Sequence, residues 1–164
     1  MSAGGEPIAV REGVALRPID ISDLESLRRW KNANRERFFH RREITTEQQE
    51  EWYAAFQNRP DDHMFVVESD GVRLGCMGYR IIGGDIDFYN IIRGRTDTRA
   101  GLMREAFLKL VAEACTQYPG RRRRVLVLAD NPAISWYQKC GFGEIAFEGD
   151  HLVMCSEDFG SESD

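Results

Sequence analysis

Long apolar runs are missing from this chain. No stretch approaches the ~20 residues a bilayer-spanning helix needs, and the start carries no charged-then-apolar leader, so neither a membrane protein nor a secreted one is expected. Cysteine is sparse. Cys76, Cys115, Cys140 and Cys155 are scattered without metal-ligand spacing and sit in or beside apolar segments, which reads as reduced thiols of a cytoplasmic protein. The three histidines, His40, His63 and His151, have no ligand spacing between them, so no metal site is expected. Positive charge is not in excess either. A net charge of −5 disfavours a general nucleic-acid binder, and the basic run Arg121 to Arg124 lacks interleaved aromatics. Repeats and interdomain linkers are absent, and 164 residues suit a single domain with a real core.

What is present alternates between two periods. Residues 1–12 are Gly-rich and read as a flexible N-terminus, 13–156 as one domain, and 157–164 as an acidic disordered tail. Val14 to Arg17 suits a short strand stopped by Pro18. Ser22-Asp23-Leu24-Glu25 reads as a capping box opening a helix with Leu24, Leu27 and Trp30 inward. Thr45 or Thr46, with Gln48 or Gln49 three residues on, opens a second helix that carries Trp52 and Phe56 inward and ends before Pro60. Met64 to Glu68, a turn at Asp70-Gly71, Val72 to Ile82, a turn at Gly83-Gly84, and the Asp85 strand make a three-stranded meander.

The stretch from Asp85 to Ala129 organises the rest. An alternating strand, Asp85 to Ile92, should place Asp85, Asp87 and Tyr89 on one face and Ile86, Phe88 and Asn90 on the other. A polar connection, Arg93 to Arg99, leads to an amphipathic helix from about Ala100, with Met103, Phe107, Leu110 and Ala114 at helical spacing. Val125 to Ala129 then suits a strand buried on both faces, completing a βαβ unit. The first turn of a helix leaves N–H groups unpaired at the positive end of the macrodipole. Here Gly94 and Gly101 allow close approach beside three arginines, so a phosphate or pyrophosphate suits the site; a solvated basic loop fits the same residues. Asp130-Asn131-Pro132 reads as a further helix start, ended by Gly141, and Phe142 to Cys155 as a closing hairpin about Gly149-Asp150.

The segment Asn131-Pro132-Ala133-Ile134-Ser135-Trp136-Tyr137-Gln138-Lys139-Cys140-Gly141-Phe142 resembles the Asn…Ala…Tyr-x-Lys-x-Gly-Phe segment of the GNAT N-acetyltransferase family, with the small residue shifted by one position. The order of elements resembles that family too, from Val14 to Cys155. The resemblance implies an α/β single-domain GNAT-like fold, with a mixed, mostly antiparallel twisted central sheet, a βαβ cofactor unit and flanking helices. The family's Q/R-x-x-G-x-G/A loop is altered. With Gly101 as its central glycine, Thr98 takes the first position and Met103 the last.

The implied activity is acetyl transfer from acetyl-CoA to a primary amine by direct attack in a ternary complex. Implied cofactor-binding residues are Ile91, Ile92, Arg93, Gly94, Thr98, Arg99, Ala100, Gly101, Leu102, Met103, Asn131 and Tyr137. Asn131 caps its helix, contacts the pantetheine, or both. Arg121 to Arg124 reads as a solvated turn with Arg124 entering the strand, or as a contact to the nucleotide phosphates. An amine must lose a proton to attack, and the family places a base or water relay on the Asp85 strand, which makes Asp87 the first candidate and Asp85 the second. Tyr137 resembles the tyrosine that protonates the departing thiolate.

Acceptor choice is expected between Arg28 and Trp52, with Trp30, Asn32, Arg37, Phe39, Trp52 and Tyr89 as candidate substrate contacts, although Trp30, Phe39 and Trp52 equally suit packing on the sheet. Arginines and aromatics suit a polar acceptor with a flat or phosphorylated part, and the resemblance of Trp30-Lys31-Asn32, Arg37-Phe38-Phe39, Ile44-Thr45 and Trp52 to GNAT enzymes acting on nucleotide-linked amino sugars implies a small amine of that kind. A protein N-terminal acetyltransferase and an inactive acyl-CoA-binding module are the alternatives. The expected partner is a small-molecule amine, and the open sheet is compatible with an edge-to-edge homodimer.

Overall fold

One eight-stranded sheet carries the chain, in the order β1-β2-β3-β4-β5-β6-β8-β7. The computed structural model describes residues 5–37 and 42–156. The strands are β1 (Ile8–Arg11), β2 (Val14–Pro18), β3 (Asp62–Ser69), β4 (Val72–Ile82), β5 (Asp85–Arg93), β6 (Arg123–Leu128), β7 (Gly143–Glu148) and β8 (His151–Ser156). The helices are α1 (Leu24–Ala33), α2 (Thr46–Phe56), α3 (Leu102–Gln117) and α4 (Ile134–Lys139). Every neighbouring pair is antiparallel except β5 and β6, which α3 joins as a parallel crossover.

The turns form where their residues demand. Asp70 and Gly71 both have positive φ, as do Gly83 and Gly84, the backbone of two-residue hairpin turns that matches strand twist. The central strands are apolar on both faces because helices cover both. Leu16, Phe65, Val67, Met77, Phe88, Phe107 and Leu110 form the core under α3, whereas Leu27, Met64, Val66, Cys76 and Ile92 pack under α1 and α2. The predicted α3 stripe is buried throughout, from Leu102 and Met103 to Ala114.

Four expectations change. Residues 8–11, read as part of a flexible terminus, add an edge strand, because Ile8 and Ala9 find ladder partners on Leu16 and Ala15. The first capping box is Asp20 with Asp23 rather than Ser22 with Glu25. Asp20 Oδ1 accepts from Ser22 N at 2.8 Å while Asp23 Oδ2 accepts from Asp20 N at 2.8 Å, opening a short 3-10 turn ahead of α1. The second box is Thr45 with Gln48, as spaced. The last helix begins at Ile134, three residues beyond Asn131, whose Oδ1 nevertheless accepts from Ala133 N at 2.8 Å. Its end follows the expected pattern. Gly141 (φ 98°) bonds back to Gln138 O, and Phe142 N bonds to Tyr137 O.

The fourth change bears on function. Asn90 has φ 53°, and Asn90 and Ile91 together oppose the single Met77 on β4, a β-bulge. The bulge reverses the alternation of β5. Ile86 and Phe88 face α3, but Asn90 and Ile92 face α1 and α2. Asn90 is therefore on the face opposite to the one strict alternation assigns. The signal was the residue itself, since asparagine tolerates the left-handed region better than other non-glycine residues.

Candidate active site

The parallel pairing of β5 with β6 is short. It comprises Ile86 with Arg123, Asp87 with Arg124 and Phe88 with Val125, and ends there. Beyond it, β5 continues from Tyr89 to Arg93 against β4, and β6 continues to Leu128 against β8. The two strands part at the bulge, leaving a fork whose inner backbone edges have no ladder partner among the described residues. Such edges can hydrogen-bond an extended amide-bearing chain.

Asp87 closes the fork. It is 2 % exposed, accepts from Arg124 Nε at 3.0 Å through one oxygen and from Arg80 Nε at 3.0 Å through the other. The Arg80 guanidinium also lies 3.9 Å from the centre of the Tyr89 ring, whose hydroxyl donates to Asp62. Asp85 begins the strand and pairs with Arg122 at 2.9 Å, five residues or about 16 Å of strand from the bulge. The fork does not gather it. Arg121 donates to Gly84 O and Arg123 to Ser156 O, so the basic run fastens β6 to its neighbours.

Tyr137 stands on the α3 side. Its ring is buried among Phe107, Trp136 and Phe142. Burial, then Cys140 and the charge of Asp87, push its phenol above the ordinary tyrosine range, so it holds its proton at neutral pH. The same charge ties the two expected catalytic residues to one locality. Cys140 next to it is pushed up to about 11 by burial, which Arg104 partly offsets.

The connection between β5 and α3 is folded on itself. Arg93 donates to the carbonyls of Arg95, Thr96 and Thr98, Arg95 pairs with Asp97, and the buried Thr98 donates to Arg95 O at 2.8 Å. Arg99 and Ala100 are exposed, and Gly101, at φ 82°, has open space where a Cβ would sit. Leu102 N bonds to Arg99 O, whereas the next first-turn amides, of Met103 and Arg104, have no acceptor within the helix. The side chains of Leu102 and Met103 point into the core. Met103 fills the space over Gly75, where a Cβ would lie 3.0 Å from its Cε, which accounts for a large residue at the last position of the loop. Gly94 has a different job from the one expected. A Cβ there would lie 2.3 Å from the Trp30 indole, so this glycine admits Trp30.

On the other face of the bulge, a cavity of about 290 Å³ lies between α1, α2 and the sheet. Leu27, Lys31, Trp52, Met64, Cys76, Asn90 and Ile92 are in its wall. Of the expected acceptor contacts among the described residues, Trp52 alone lines it. Ile92, expected at the cofactor, lines it as well, and Ile91 packs against the α3 core. Asn32 is a latch, with its amide exchanging two hydrogen bonds with the main chain of Ile44 at 2.7 and 3.0 Å. Arg37 is exposed on a short turn, Tyr89 is tied to Asp62, and Phe39 lies outside the described residues. Lys31, Gln48 and Gln49, inside the stretch expected to choose the acceptor but not singled out as contacts, also line it.

Comparison with known proteins agrees with this fold. No curated protein matches the sequence. Among solved structures, FdhC, a nucleotide-linked sugar GNAT, is similar over 87% of this chain and 85% of its own, at 14% identity and TM-score 0.73. RimL, a ribosomal L7/L12 alpha-N-protein acetyltransferase in complex with coenzyme A, is similar over 92% of this chain and 95% of its own, at 15% identity and TM-score 0.73. The spermidine N-acetyltransferase from Vibrio cholerae, in complex with CoA and spermine, is similar over 88% and 94%, at 20% identity and TM-score 0.72. A sequence profile described as an acetyltransferase (GNAT) domain matches residues 14–143. With the family model matched over most of its length and its fold in agreement, the chain belongs to the GNAT acetyltransferase family.

Proposed function

We propose that this chain transfers an acetyl group from acetyl-CoA to a primary amine of a small molecule by direct attack in a ternary complex. The observation that carries this reading is the coincidence at one bulge of an open strand fork on one face and a small cavity on the other. The amides of Met103 and Arg104, beside the open Gly101, suit the pyrophosphate, and the unpaired edge of β5 suits the pantetheine. The acceptor enters from the cavity lined by Trp52 and Ile92.

In the reaction the amine nitrogen, as its neutral form, bonds to the acetyl carbon. The oxyanion that develops is met by backbone N–H groups of β5 at the fork. The C–S bond then breaks, and the Tyr137 hydroxyl gives its proton to the departing thiolate, to be replaced from water. The nitrogen's surplus proton leaves through water. We assign Asp87 to anchoring β5 on β6, because a guanidinium engages each of its oxygens.

Calorimetric titration with acetyl-CoA tests the reading first. Micromolar binding, about −8 kcal/mol, is expected. Absence of binding at millimolar concentration would instead support an interaction module. Acetylation of a peptide N-terminus but of no small amine would move the acceptor to the protein class that RimL exemplifies.

A further inference from the structure

Tyr137 sits on α4, which at six residues is the shortest α-helix among the described residues. A helix of that length does not hold its own shape in water, so the contacts around it decide where the tyrosine stands. α3 supplies one side of those contacts. Phe107 lies against the rings of Trp136 and Tyr137, with centroids 5.4 and 5.9 Å away. Arg104, one turn earlier on α3, reaches the far end of the same helix. Its Nη2 donates to Lys139 O at 3.1 Å, and its guanidinium also bonds to the Cys140 sulfur.

The last turn of a helix leaves carbonyls in need of donors from elsewhere. In α4, Trp136 O and Tyr137 O take Cys140 N, Tyr137 O also takes Phe142 N, and Gln138 O takes Gly141 N. Lys139 O meets no main-chain donor among the described residues, and Arg104 supplies one. A basic side chain on a terminal carbonyl is a recurrent way to finish a helix. Here the basic side chain comes from another helix, so it also fixes the position of α4 on α3. Lys139 is two residues from Tyr137. A small rotation of so short a helix would carry the phenol out of hydrogen-bond reach of the sulfur it must protonate.

Resting on the acetyl-transfer reading, we propose that Arg104 is a positioning residue for Tyr137. Its side chain pins the end of α4 to α3 and so sets the tyrosine hydroxyl against the departing thiolate. The amide of the same residue is one of those that suit the pyrophosphate, so a single turn of α3 seats both the anion of the cofactor and the helix that carries the acid. Arg104 makes and breaks no bond itself; it acts through Tyr137.

The test follows thiol release from acetyl-CoA by the full chain, over the uncatalysed rate, with hydroxylamine as a small acceptor that is mostly uncharged near neutral pH. Arg104→Met is expected to lower kcat by about tenfold, the scale of a misplaced catalytic group. Added to Tyr137→Phe, the same substitution should cost less than about twofold, because the group it positions is already gone. Arg104→Lys still offers a donor and a charge to Lys139 O, and should recover part of the loss. An equal fall in the Tyr137→Phe background, as a general structural role would give, or no fall in the native one, would overturn the proposal. A second measurement needs no turnover. With carbon-13 at the tyrosine Cζ positions, the Tyr137 signal is the one missing from Tyr137→Phe. Arg104→Met should move that signal and leave the signal of Tyr89, packed on the other face of the sheet, in place. A Tyr137 signal that stays put overturns the proposal whether or not the chain is active. Acetyl-CoA titration judges the enzymatic reading by itself: no binding there, with the Tyr137 signal moved, removes that reading and leaves the pinning of α4 standing.

Discussion

Arg124 Nε donates to Asp87 Oδ1 at 3.0 Å, joining the one parallel strand pair among the described residues at its last rungs before the strands part. Arg80 holds the other oxygen from β4. A carboxylate so engaged fixes three strands relative to one another. Asp87→Asn is therefore expected to lower stability by about 1–3 kcal/mol, the scale of losing charge-assisted bonds at a partly exposed pair. Thermal melting reads this as a fall of several degrees, while kcat measured well below the melting point stays within about tenfold. Loss of about 10²-fold or more with unchanged melting would instead make Asp87 the general base.

Tyr137 is expected to act through its hydroxyl alone, since Phe107, Trp136 and Phe142 hold the ring. Tyr137→Phe keeps those contacts. Turnover should fall by about 10²-fold or more with acetyl-CoA affinity unchanged by calorimetry. Unaltered turnover would remove Tyr137 from the mechanism.

Gly94 and Trp30 share a space with no room for a methyl group, the nearest indole carbon lying 2.3 Å from a would-be Cβ. Gly94→Ala ordinarily stabilises a chain slightly by restricting the unfolded state. Here the indole must move, and a loss of about 1–3 kcal/mol is expected, with a shift in tryptophan emission. A rise in melting temperature would show that Trp30 yields without cost.

Asp23 is fully buried and accepts from Arg17 Nη2 at 2.9 Å, Arg73 Nε at 2.7 Å and Asp20 N at 2.8 Å. Burial alone would raise its pKa, but these donors outweigh it and hold the carboxyl below the ordinary range. The folded pKa lies below the unfolded one, so the stabilisation is complete above the unfolded value of about 4 and is lost as pH falls toward the folded value. Urea midpoints measured from pH 7 down to pH 3 should drop for the native chain and change less for Asp23→Asn. The variant should already be weaker at pH 7, by about 3 kcal/mol. Parallel pH curves for the two would refute this.

Much of the scaffold was legible because its causes are local. Asp70-Gly71 and Gly83-Gly84 need only their own φ preferences to turn the chain, Thr45 and Gln48 cap each other three residues apart, and the α3 stripe follows the helical period. The resemblance carried by Asn131 to Phe142 rests on a segment equally short. The site was less legible. Asn90 changed faces because a bulge forms only against a partner strand, here Met77 on β4. Gly94 was kept small by Trp30, and Asp87 was claimed by arginines from β4 and β6, contacts that chain spacing does not express. The sequence by itself determined most of the elements from Val14 onward, their order and the family resemblance, because hydrophobic period and turn chemistry act over a few residues. Only the tertiary structure decided which charges met. Lys31 reached Asn90, and Arg124 reached Asp87, because burial strengthens pairings between residues that are distant in the chain.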